Sequence, residues 1–374
     1  MARNAIAIFA SSESDADIFY ATRFRAPNPF LYLEKGGRGT AYVSKMEYSR
    51  AKLEAKCAVR LMPPSAAQKK GGTKETGAIA ALLKKNKIRS VVVPFDFPLG
   101  LARKLEGGGV RVSPKPSRPF FESRKIKTGW EIACIRRSQL FAQKGVALAR
   151  EIIAQSKISQ RRGGKLEHGG RTLTSEFVRE NISKFLVANG FDPSVPIVSC
   201  GAQSAFPHQR GSGPLFAHRP IIVDVFPRDL RTGYWGDCTR TFAKGAPAEE
   251  IVSMHAAVAQ AHKAATGKIR DGAWGERIHE EVKKTFSERG YFNNDGKRGS
   301  FGFTHGTGHG VGLEVHEEPR IASGAGPLFA CNVVTVEPGL YYQKTGGVRI
   351  EDLVAVRKNG CENLTSLEKG LAID

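Results

Sequence analysis

The strongest constraint in this sequence is a single acid inside an otherwise apolar segment. Residues 220–226 read Pro-Ile-Ile-Val-Asp-Val-Phe, a pattern that predicts a strand buried on both faces. A buried carboxylate is costly unless it is paired with a cation or bound to a metal ion. Asp224 therefore needs a partner elsewhere in the chain.

A second acid follows thirteen residues later. Asp237 lies in residues 236–242, which also predict a strand, and Gly233 supplies turn chemistry that would fold the two strands into a hairpin. Alternation along the second strand places Thr239 and Thr241 on the same face as Asp237. Hydroxyl groups there can orient a carboxylate that binds a metal. We therefore expect both aspartates to face one site.

The same arrangement occurs twice near the C-terminus, around Glu337 and Glu351. Thr335 shares a strand face with Glu337, and Arg349 shares a face with Glu351. Four acids converging on one apolar sheet would repel one another by several kcal/mol unless cations lie between them. A bound metal is the simplest explanation.

Histidines that could supply a nitrogen ligand lie in the glycine-rich residues 303–320. His305 and His309 have the spacing of a helical zinc pair, but the glycines between and after them would make a helix costly. We therefore place both histidines on a loop or a strand. The glycines fit neither a dinucleotide fingerprint nor a P-loop, so a phosphate-binding loop is disfavoured.

Three prolines within residues 113–119 predict a linker between two domains. The part before it predicts an α/β domain with strands at residues 5–10 and 91–93 and a helix at residues 77–83. The part after it groups helices and strands separately, which predicts an α+β domain with a largely antiparallel sheet. The predicted helices are residues 131–155, 174–188, 249–264 and 276–289, and the predicted strands are residues 220–226, 236–242, 332–341 and 347–356.

Five of these residues, in this order and local context, resemble the metal ligands of the pita-bread metallopeptidases, the family of methionine aminopeptidase, aminopeptidase P and prolidase: Asp224, Asp237, His309, Glu337 and Glu351. The resemblance covers nearly the whole chain. It implies a pita-bread catalytic domain at residues 121–374 and a smaller N-terminal α/β domain at residues 1–120, similar to that of creatinase and prolidase. The extra domain disfavours methionine aminopeptidase.

The resemblance also implies a dinuclear site. Asp224 would chelate the first metal ion, Asp237 and Glu351 would bridge both ions, and His309 and Glu337 would complete the second. Oxygen donors with one imidazole favour Mn²⁺ or Co²⁺ and leave Zn²⁺ or Fe²⁺ open. Two such ions can activate a bridging hydroxide and polarise the scissile carbonyl.

Catalytic roles follow from the same resemblance. Glu337 would move the proton to the leaving nitrogen, and His316 would stabilise developing negative charge. His208 and His305 resemble further active-site histidines of the prolidase and aminopeptidase P branch. Two arginines complete the set of candidates and are assigned to the substrate site. Arg320 resembles a residue that binds the substrate carboxylate, and Arg349 would hold Glu351 in position.

The resulting prediction is a metal-dependent Xaa-Pro peptidase, a prolidase-like dipeptidase. Aminopeptidase P activity on longer peptides is the alternative within the enzyme class, and a non-catalytic binding module on the same fold is the alternative outside it. The short spacing of 14 residues between Glu337 and Glu351 resembles compact prolidases. The spacing between the aspartates is longer than usual for the family, because of residues 227–230.

Composition limits cellular context and partners. The chain of 374 residues has 57 Lys and Arg against 36 Asp and Glu, a net charge of +21. The basic residues are dispersed along the sequence, which favours a solvated basic surface over a specific nucleic-acid partner. Six scattered cysteines and the absence of an apolar stretch of ~20 residues predict a cytoplasmic protein without disulfides or a membrane span. We expect a homodimer acting on proline-containing peptides.

Overall fold

The computed structural model describes residues 5–64, 74–116, 118–296 and 299–374. These residues form two compact units, Met1–Arg124 and Lys125–Asp374. No helix among them has the length and apolarity that a bilayer crossing requires. All six cysteines are free thiols.

The N-terminal unit is an α/β domain. Its elements are β1 (Ala5–Ala10), α1 (Ala16–Thr22), β2 (Phe30–Lys35), β3 (Arg38–Val43), α2 (Lys45–Glu54), β4 (Ala58–Leu61), α3 (Lys74–Lys85), β5 (Ser90–Val93), α4 (Leu99–Gly107) and β6 (Arg111–Pro114). They form one mixed sheet in the order β4-β3-β2-β1-β5-β6. Alternate residues of β1 enter opposite cores: Ala7 packs with α3 and α4, and Ile8 packs with α1 and α2.

The predicted linker overlaps the last strand of this sheet. Ser113 and Pro114 belong to β6 and pair with Val92 and Val93 of β5. The sequence analysis had assigned Ser113 and Pro114 to the linker. A proline is tolerated there because β6 is an edge strand, whose outward N–H groups have no partner to lose. Ser117, also in the predicted linker, lies outside the described residues.

The C-terminal unit carries the predicted site. Its elements are α5 (Gly129–Ala154), β7 (Lys157–Ser159), β8 (Lys165–His168), β9 (Arg171–Thr172), α6 (Ser175–Ala188), β10 (Phe191–Asp192), β11 (Ile197–Cys200), β12 (Ile221–Val225), β13 (Arg228–Asp229), β14 (Cys238–Lys244), α7 (Glu249–Lys268), α8 (Gly275–Glu288), β15 (Asn294–Gly296), β16 (Gly299–Phe301), β17 (Gly308–Gly310), β18 (Glu317–Ile321), β19 (Val333–Val336), β20 (Gly339–Tyr342), β21 (Gly346–Arg349), β22 (Asp352–Arg357), β23 (Gly360–Asn363) and β24 (Ala372–Ile373).

Two hydrophobic cores build this unit. Helices α5 and α6 pack on the sheet β11-β12-β14-β24, and helices α7 and α8 pack on the sheet β18-β17-β19-β22-β23. Strand pairing within both sheets is antiparallel except between β14 and β24. This agrees with the expected α+β class.

The four long helices begin and end close to their predicted limits, and side-chain caps fix the N-termini of α5 and α6. Thr128 and Glu131 form a reciprocal capping box at the start of α5, and the Thr174 hydroxyl accepts from Phe177 N at the start of α6. These caps satisfy backbone N–H groups that have no partner within the helix.

Two of the predicted strands are each split in two. Residues 332–341 divide into β19 and β20, and residues 347–356 divide into β21 and β22. In each case the second half pairs in a different sheet from the first, because β20 and β21 form a two-stranded sheet of their own, which Gly302 joins through an isolated bridge to Tyr341. The breaks fall at Glu337 and Glu351, so each acid lies where the chain leaves one sheet for another.

Candidate metal centre

The two aspartates face one site, as the hairpin prediction requires. Strands β12 and β14 are antiparallel, with Asp224 opposite Thr239, and Asp237 immediately precedes β14. Gln139 of α5 holds Asp237 in place: its amide nitrogen donates to Asp237 O at 2.8 Å, and its amide oxygen accepts from Asp237 N at 2.7 Å. The sequence analysis did not identify Gln139.

The three remaining predicted ligands come from the other sheet and its breaks. His309 lies in β17, between glycines that allow close packing, since a Cβ on Gly308 would lie 1.9 Å from Thr335 O. The Glu337 amide donates to Thr307 O at 2.8 Å, and the Glu351 amide donates to Thr239 O at 3.1 Å. The expectation that His309 is not helical is therefore confirmed.

The arrangement of ligand atoms suits a divalent cation. Asp237, His309 and Glu351 each place one ligand atom within 4.8 Å of the others. His309 Nε2 lies 3.2 Å from Glu337 Oε1, and the buried Oδ1 of Asp224 has no hydrogen-bond partner. Oxygen donors with one imidazole are a recognised ligand set for Mn²⁺ and related ions. The residues present therefore fit a bound metal.

The electrostatics of these side chains point to the same conclusion. Burial, together with the neighbouring carboxylates, raises the pKa of Asp237 and of Glu351 well above the usual range, and raises that of Asp224 despite the nearby Arg349 guanidinium. Burial also acts on Glu337, but the hydrogen bond and charge of His309 outweigh it and lower the pKa to about 2. Cations at this cluster would replace protons on the other carboxylates.

Hydroxyl groups orient two of the carboxylates. Thr239 Oγ1 donates to Glu351 Oε2 at 2.7 Å in a buried environment. Thr335 Oγ1 lies 3.4 Å from Glu337 Oε1 and accepts from His309 N at 3.1 Å, so one hydroxyl contacts two predicted ligands. The strand faces derived from the sequence anticipated both threonines.

A buried arginine that the sequence analysis did not identify, Arg240, holds the backbone of Glu351. The Arg240 guanidinium is 1% exposed, donates to Glu351 O at 2.6 Å and pairs with Asp352 at 2.7 Å. Asp352 also accepts from Lys369 at 2.6 Å. This fully buried pair fixes the backbone on both sides of the break at Glu351.

Arg349 has a different partner from the one expected. The sequence pairs it with Glu351, whereas its guanidinium donates to Asp224 Oδ2 at 2.7 Å and to Tyr341 Oη at 2.9 Å. The reason is the register of β20 and β21, which brings Tyr341 beside Gly347 and turns Arg349 toward β12. Arg349 is only 4% exposed, so it acts chiefly by holding Asp224.

His305 is held by protein groups at both ring nitrogens. Nε2 lies 2.8 Å from Tyr341 Oη, and Nδ1 lies 2.7 Å from Gly306 O. Because Gly306 O can only accept, Nδ1 carries the ring hydrogen, and in the neutral ring Nε2 then accepts from the Tyr341 hydroxyl. Burial lowers the pKa of His305 and raises that of Tyr341 to about 12, so both groups stay neutral.

His316 and Arg320 lie closer to open solvent. The His316 ring meets His309 edge-on at 4.3 Å, and burial, reinforced by His309, lowers its pKa to about 4. His316 is therefore a neutral donor at pH 7. The Arg320 side chain is 61% exposed and lies 3.5 Å from Glu318, a loose ion pair that a substrate carboxylate can replace.

One cavity of about 770 Å³ contains all the predicted site residues: His208, Asp224, Asp237, His305, His309, His316, Arg320, Glu337, Arg349 and Glu351. Asp192 and Arg210 also line it and were not predicted. Arg210 follows His208 by two residues, the one sequence signal that could have identified it. A groove of about 870 Å³ beside α8 contains none of the predicted site residues.

Comparison with known proteins gives consistent results. The profile of metallopeptidase family M24 matches residues 133–358. The Xaa-Pro dipeptidase of Pyrococcus furiosus is 29% identical over 337 residues, 90% of this chain and 87% of that protein. The solved prolidase from Pyrococcus horikoshii OT3 is similar with a TM-score of 0.79 and 26% identity, covering 98% of this chain and 95% of that one. The X-Pro aminopeptidase from Thermotoga maritima MSB8 shares the fold, with a TM-score of 0.78, 23% identity, and coverage of 98% and 97%.

Proposed function

Because the chain belongs to metallopeptidase family M24, we propose that it is a metal-dependent Xaa-Pro peptidase, a prolidase-like dipeptidase that hydrolyses the peptide bond before proline. The observation that carries this proposal is the group of Asp237, His309 and Glu351, whose ligand atoms lie within 4.8 Å of one another inside a cavity. The fold is the expected one, a pita-bread catalytic domain with a smaller N-terminal α/β domain. We assign residues 1–120 to the creatinase-like domain and residues 121–374 to the catalytic domain.

The five predicted ligands would hold two divalent ions, for which we favour Mn²⁺ over Co²⁺, Zn²⁺ or Fe²⁺. When bound, such ions lower the pKa of a water molecule and polarise the scissile carbonyl. Three of these ligands are positioned by neighbours within this chain: Asp224 by Arg349, Asp237 by Gln139, and Glu351 by Thr239 and Arg240. The site is therefore held in shape by buried hydrogen bonds.

Proton transfer falls to Glu337. Its carboxylate lies in the same cavity as the other ligands, with Oε1 3.2 Å from His309 Nε2, where it would be placed to accept a proton from the attacking water. It can then deliver that proton to the leaving nitrogen of proline. His316, neutral with a pKa of about 4, retains an N–H that can donate to the substrate carbonyl oxygen as negative charge develops. His305 positions Tyr341, and through it Arg349, while His208 lines the cavity wall.

The cavity favours a substrate with a free carboxylate. Arg320 has only a loose ion pair, and Arg210 contributes a second guanidinium to the same lining. Arginine suits a carboxylate because its planar fork can donate two parallel hydrogen bonds. A dipeptide brings its C-terminal carboxylate into such a site, which is why we place the dipeptide ahead of longer peptides.

Aminopeptidase P activity is the second candidate, since the Thermotoga maritima X-Pro aminopeptidase shares the fold. A non-catalytic binding module is disfavoured because it would not need five costly polar groups around one buried cluster. We further propose a cytoplasmic homodimer.

The proposal is tested by removing metal with a chelator and restoring Mn²⁺. We expect proline release from an Xaa-Pro dipeptide to return with Mn²⁺ and to exceed Xaa release from an Xaa-Pro-Yaa tripeptide. Asp237→Ala should abolish both reactions, and Glu280→Ala, a change at an exposed acid of α8, should leave them intact. A preference for the tripeptide would indicate aminopeptidase P. Cleavage of neither peptide, with Asp237→Ala indistinguishable from the parent, would support the binding module.

A further inference from the structure

One end of the N-terminal sheet collects chain segments that are far apart in sequence. Strands β1, β5 and β6 are mutually parallel, with Ala5 beside Val91 and Ser90 beside Arg111, so all three begin at this end. Helices α3 and α4 lead into β5 and β6 and therefore end there as well. Because β2 runs antiparallel to β1, the turn between β2 and β3 also lies at this end.

Seven exposed basic side chains gather there, and we call them the basic end: Lys35, Arg38, Lys84, Lys85, Lys87, Arg89 and Arg111. Direct contacts join their segments. Lys35 Nζ donates to Asn86 O at 2.8 Å, and Arg111 N donates to Arg89 O at 2.9 Å. The fold thus adds Lys35, Arg38 and Arg111 to the basic run at residues 84–89.

Within the described segments, the basic end has too few carboxylates to neutralise it. Ion pairs in the described part of the N-terminal unit form at other cations, among them Arg50, Lys115, Arg118 and Arg124. Two acids lie in the same segments. Glu34 is half-buried and accepts from the Tyr32 hydroxyl at 3.0 Å, and Glu106 is exposed in the last turns of α4. Seven cations against two acids leave a strong local excess of positive charge.

This arrangement costs the domain stability. Lys35 and Arg38 are directly opposite in the strand register, across a turn in which Gly36 and Gly37 have φ values of 61° and 77°. Like charges in that position repel each other. Lys84 and Lys85 gain from their place in the last turn of α3, where they face the negative end of the helix dipole, and Lys35 donates to Asn86 O just beyond that turn. The contacts of the described residues give the other four cations no such compensation, so a negatively charged ligand would relieve their mutual repulsion.

We propose that the basic end binds the phosphate backbone of double-stranded nucleic acid without base specificity. The cations extend from β3 to β6, four strand spacings or about 19 Å. Each strand of a duplex carries one phosphate per about 3.4 Å of helix axis, so this span covers the length of five or six base pairs. The proposal does not depend on the peptidase function.

The composition of the basic end selects this partner over two others. Single-stranded nucleic acid is bound with aromatic side chains on which bases stack, and membrane surfaces are bound with apolar side chains that enter the lipid. The segments that carry the seven cations, residues 35–38, 84–89 and 111, expose no aromatic or large apolar side chain. Electrostatic contact with a regular row of phosphates requires neither.

The test is fluorescence anisotropy of a labelled 30-base-pair duplex with the full chain between 50 and 200 mM KCl. For five phosphate contacts, the logarithm of the binding constant should fall with the logarithm of salt concentration with a slope of about −4.5. The triple variant Lys84→Gln, Lys85→Gln and Arg111→Gln should reduce the magnitude of that slope by about 2.7, because each phosphate that is no longer neutralised accounts for ~0.9. Glutamine retains helix propensity in α3.

A matched control removes three exposed cations from the other unit: Lys263→Gln, Lys283→Gln and Lys358→Gln. This variant has the same net charge as the first and should bind the duplex like the parent. A second basic-end variant, Lys35→Gln with Arg38→Gln, should reduce the slope by about 1.8 and confirms the effect at a site outside α3. Circular dichroism checks that all variants are folded.

Three results would overturn the proposal. The parent chain would fail to bind the duplex at 50 mM KCl, or both triple variants would weaken binding equally, which would show an effect of net charge alone. Alternatively, the chain would bind vesicles containing phosphatidylserine but not the duplex, which would identify the partner as a membrane surface.

Discussion

Replacing Thr239 with valine tests whether the buried hydroxyl orients Glu351 for metal binding. The Thr239 hydroxyl donates to Glu351 Oε2 at 2.7 Å, and the two residues are 0% and 2% exposed. Valine has nearly the same shape, so the change removes the hydrogen bond with little change in packing. A hydrogen bond to a charged group contributes about 1.5–3 kcal/mol. Since 1.4 kcal/mol corresponds to a factor of ten, we expect Thr239→Val to weaken Mn²⁺ binding by about 10- to 100-fold.

Isothermal titration of Mn²⁺ into chelator-treated protein measures this directly, without reference to peptidase activity. Thr285→Val is the matched control, because Thr285 is also buried, at 5% exposure, and its hydroxyl donates to Glu281 O within α8, away from the candidate centre. The control should bind Mn²⁺ like the parent. Equal affinities of Thr239→Val and the parent would refute the idea that this hydroxyl prepares Glu351 for a metal ion.

Three further changes test other parts of the structure. Gly308→Ala would place a Cβ 1.9 Å from Thr335 O and should destabilise the fold by about 1–3 kcal/mol or more in urea denaturation, whereas Gly360→Ala, which meets nothing within 4 Å, should not. Arg320→Met should raise KM for an Xaa-Pro dipeptide about tenfold or more with kcat little changed, and should have no effect on the Xaa-Pro amide, which lacks the carboxylate; equal effects on both would remove Arg320 from carboxylate binding. Burial lowers the pKa of His262 to about 4, below the unfolded value of 6.5, so the folded state binds fewer protons and stability is lost as pH falls. His262 should contribute about 2.5 kcal/mol to the fall in the free energy of unfolding between pH 7.5 and 4.5, and the fall should be smaller by about that amount in His262→Gln when urea denaturation is compared at the two pH values.

The sequence predicted most helices because their signals are local. An apolar stripe, a Thr cap and a following glycine determine α6, and all lie within about 16 residues of sequence. Strand limits were less accurate near Glu337 and Glu351. The alternating pattern continues across both acids, whereas the hydrogen-bonding partner changes there, and partners are set by residues distant in the chain. Pro338 after the first acid was the one local sign of a break.

The metal-binding acids were predictable because a carboxylate in an apolar strand stands out in any sequence. Their supporting groups were not. Gln139 contacts Asp237 across 98 positions, and Tyr341 reaches His305 only through the register of a short hairpin. The predicted partner of Arg349, Glu351, was wrong for the same reason, and the observed partner is Asp224. Strand alternation predicts which face a side chain occupies but not which residue lies next to it on that face.

The hairpin β20–β21 joins Glu337 and Glu351 at its base. The number of residues between the two acids is therefore independent of the distance in space between their carboxylates. The Glu337 and Glu351 amides are each anchored by a carbonyl outside the hairpin, those of Thr307 and Thr239. The hairpin tip, at Gln343 and Lys344, is exposed to solvent. Residues inserted at that tip would lengthen the hairpin without moving either carboxylate. The count of residues between the acids can therefore drift during evolution while the gap between their oxygens stays fixed, and that count is a poor guide to the length of the peptide being cleaved.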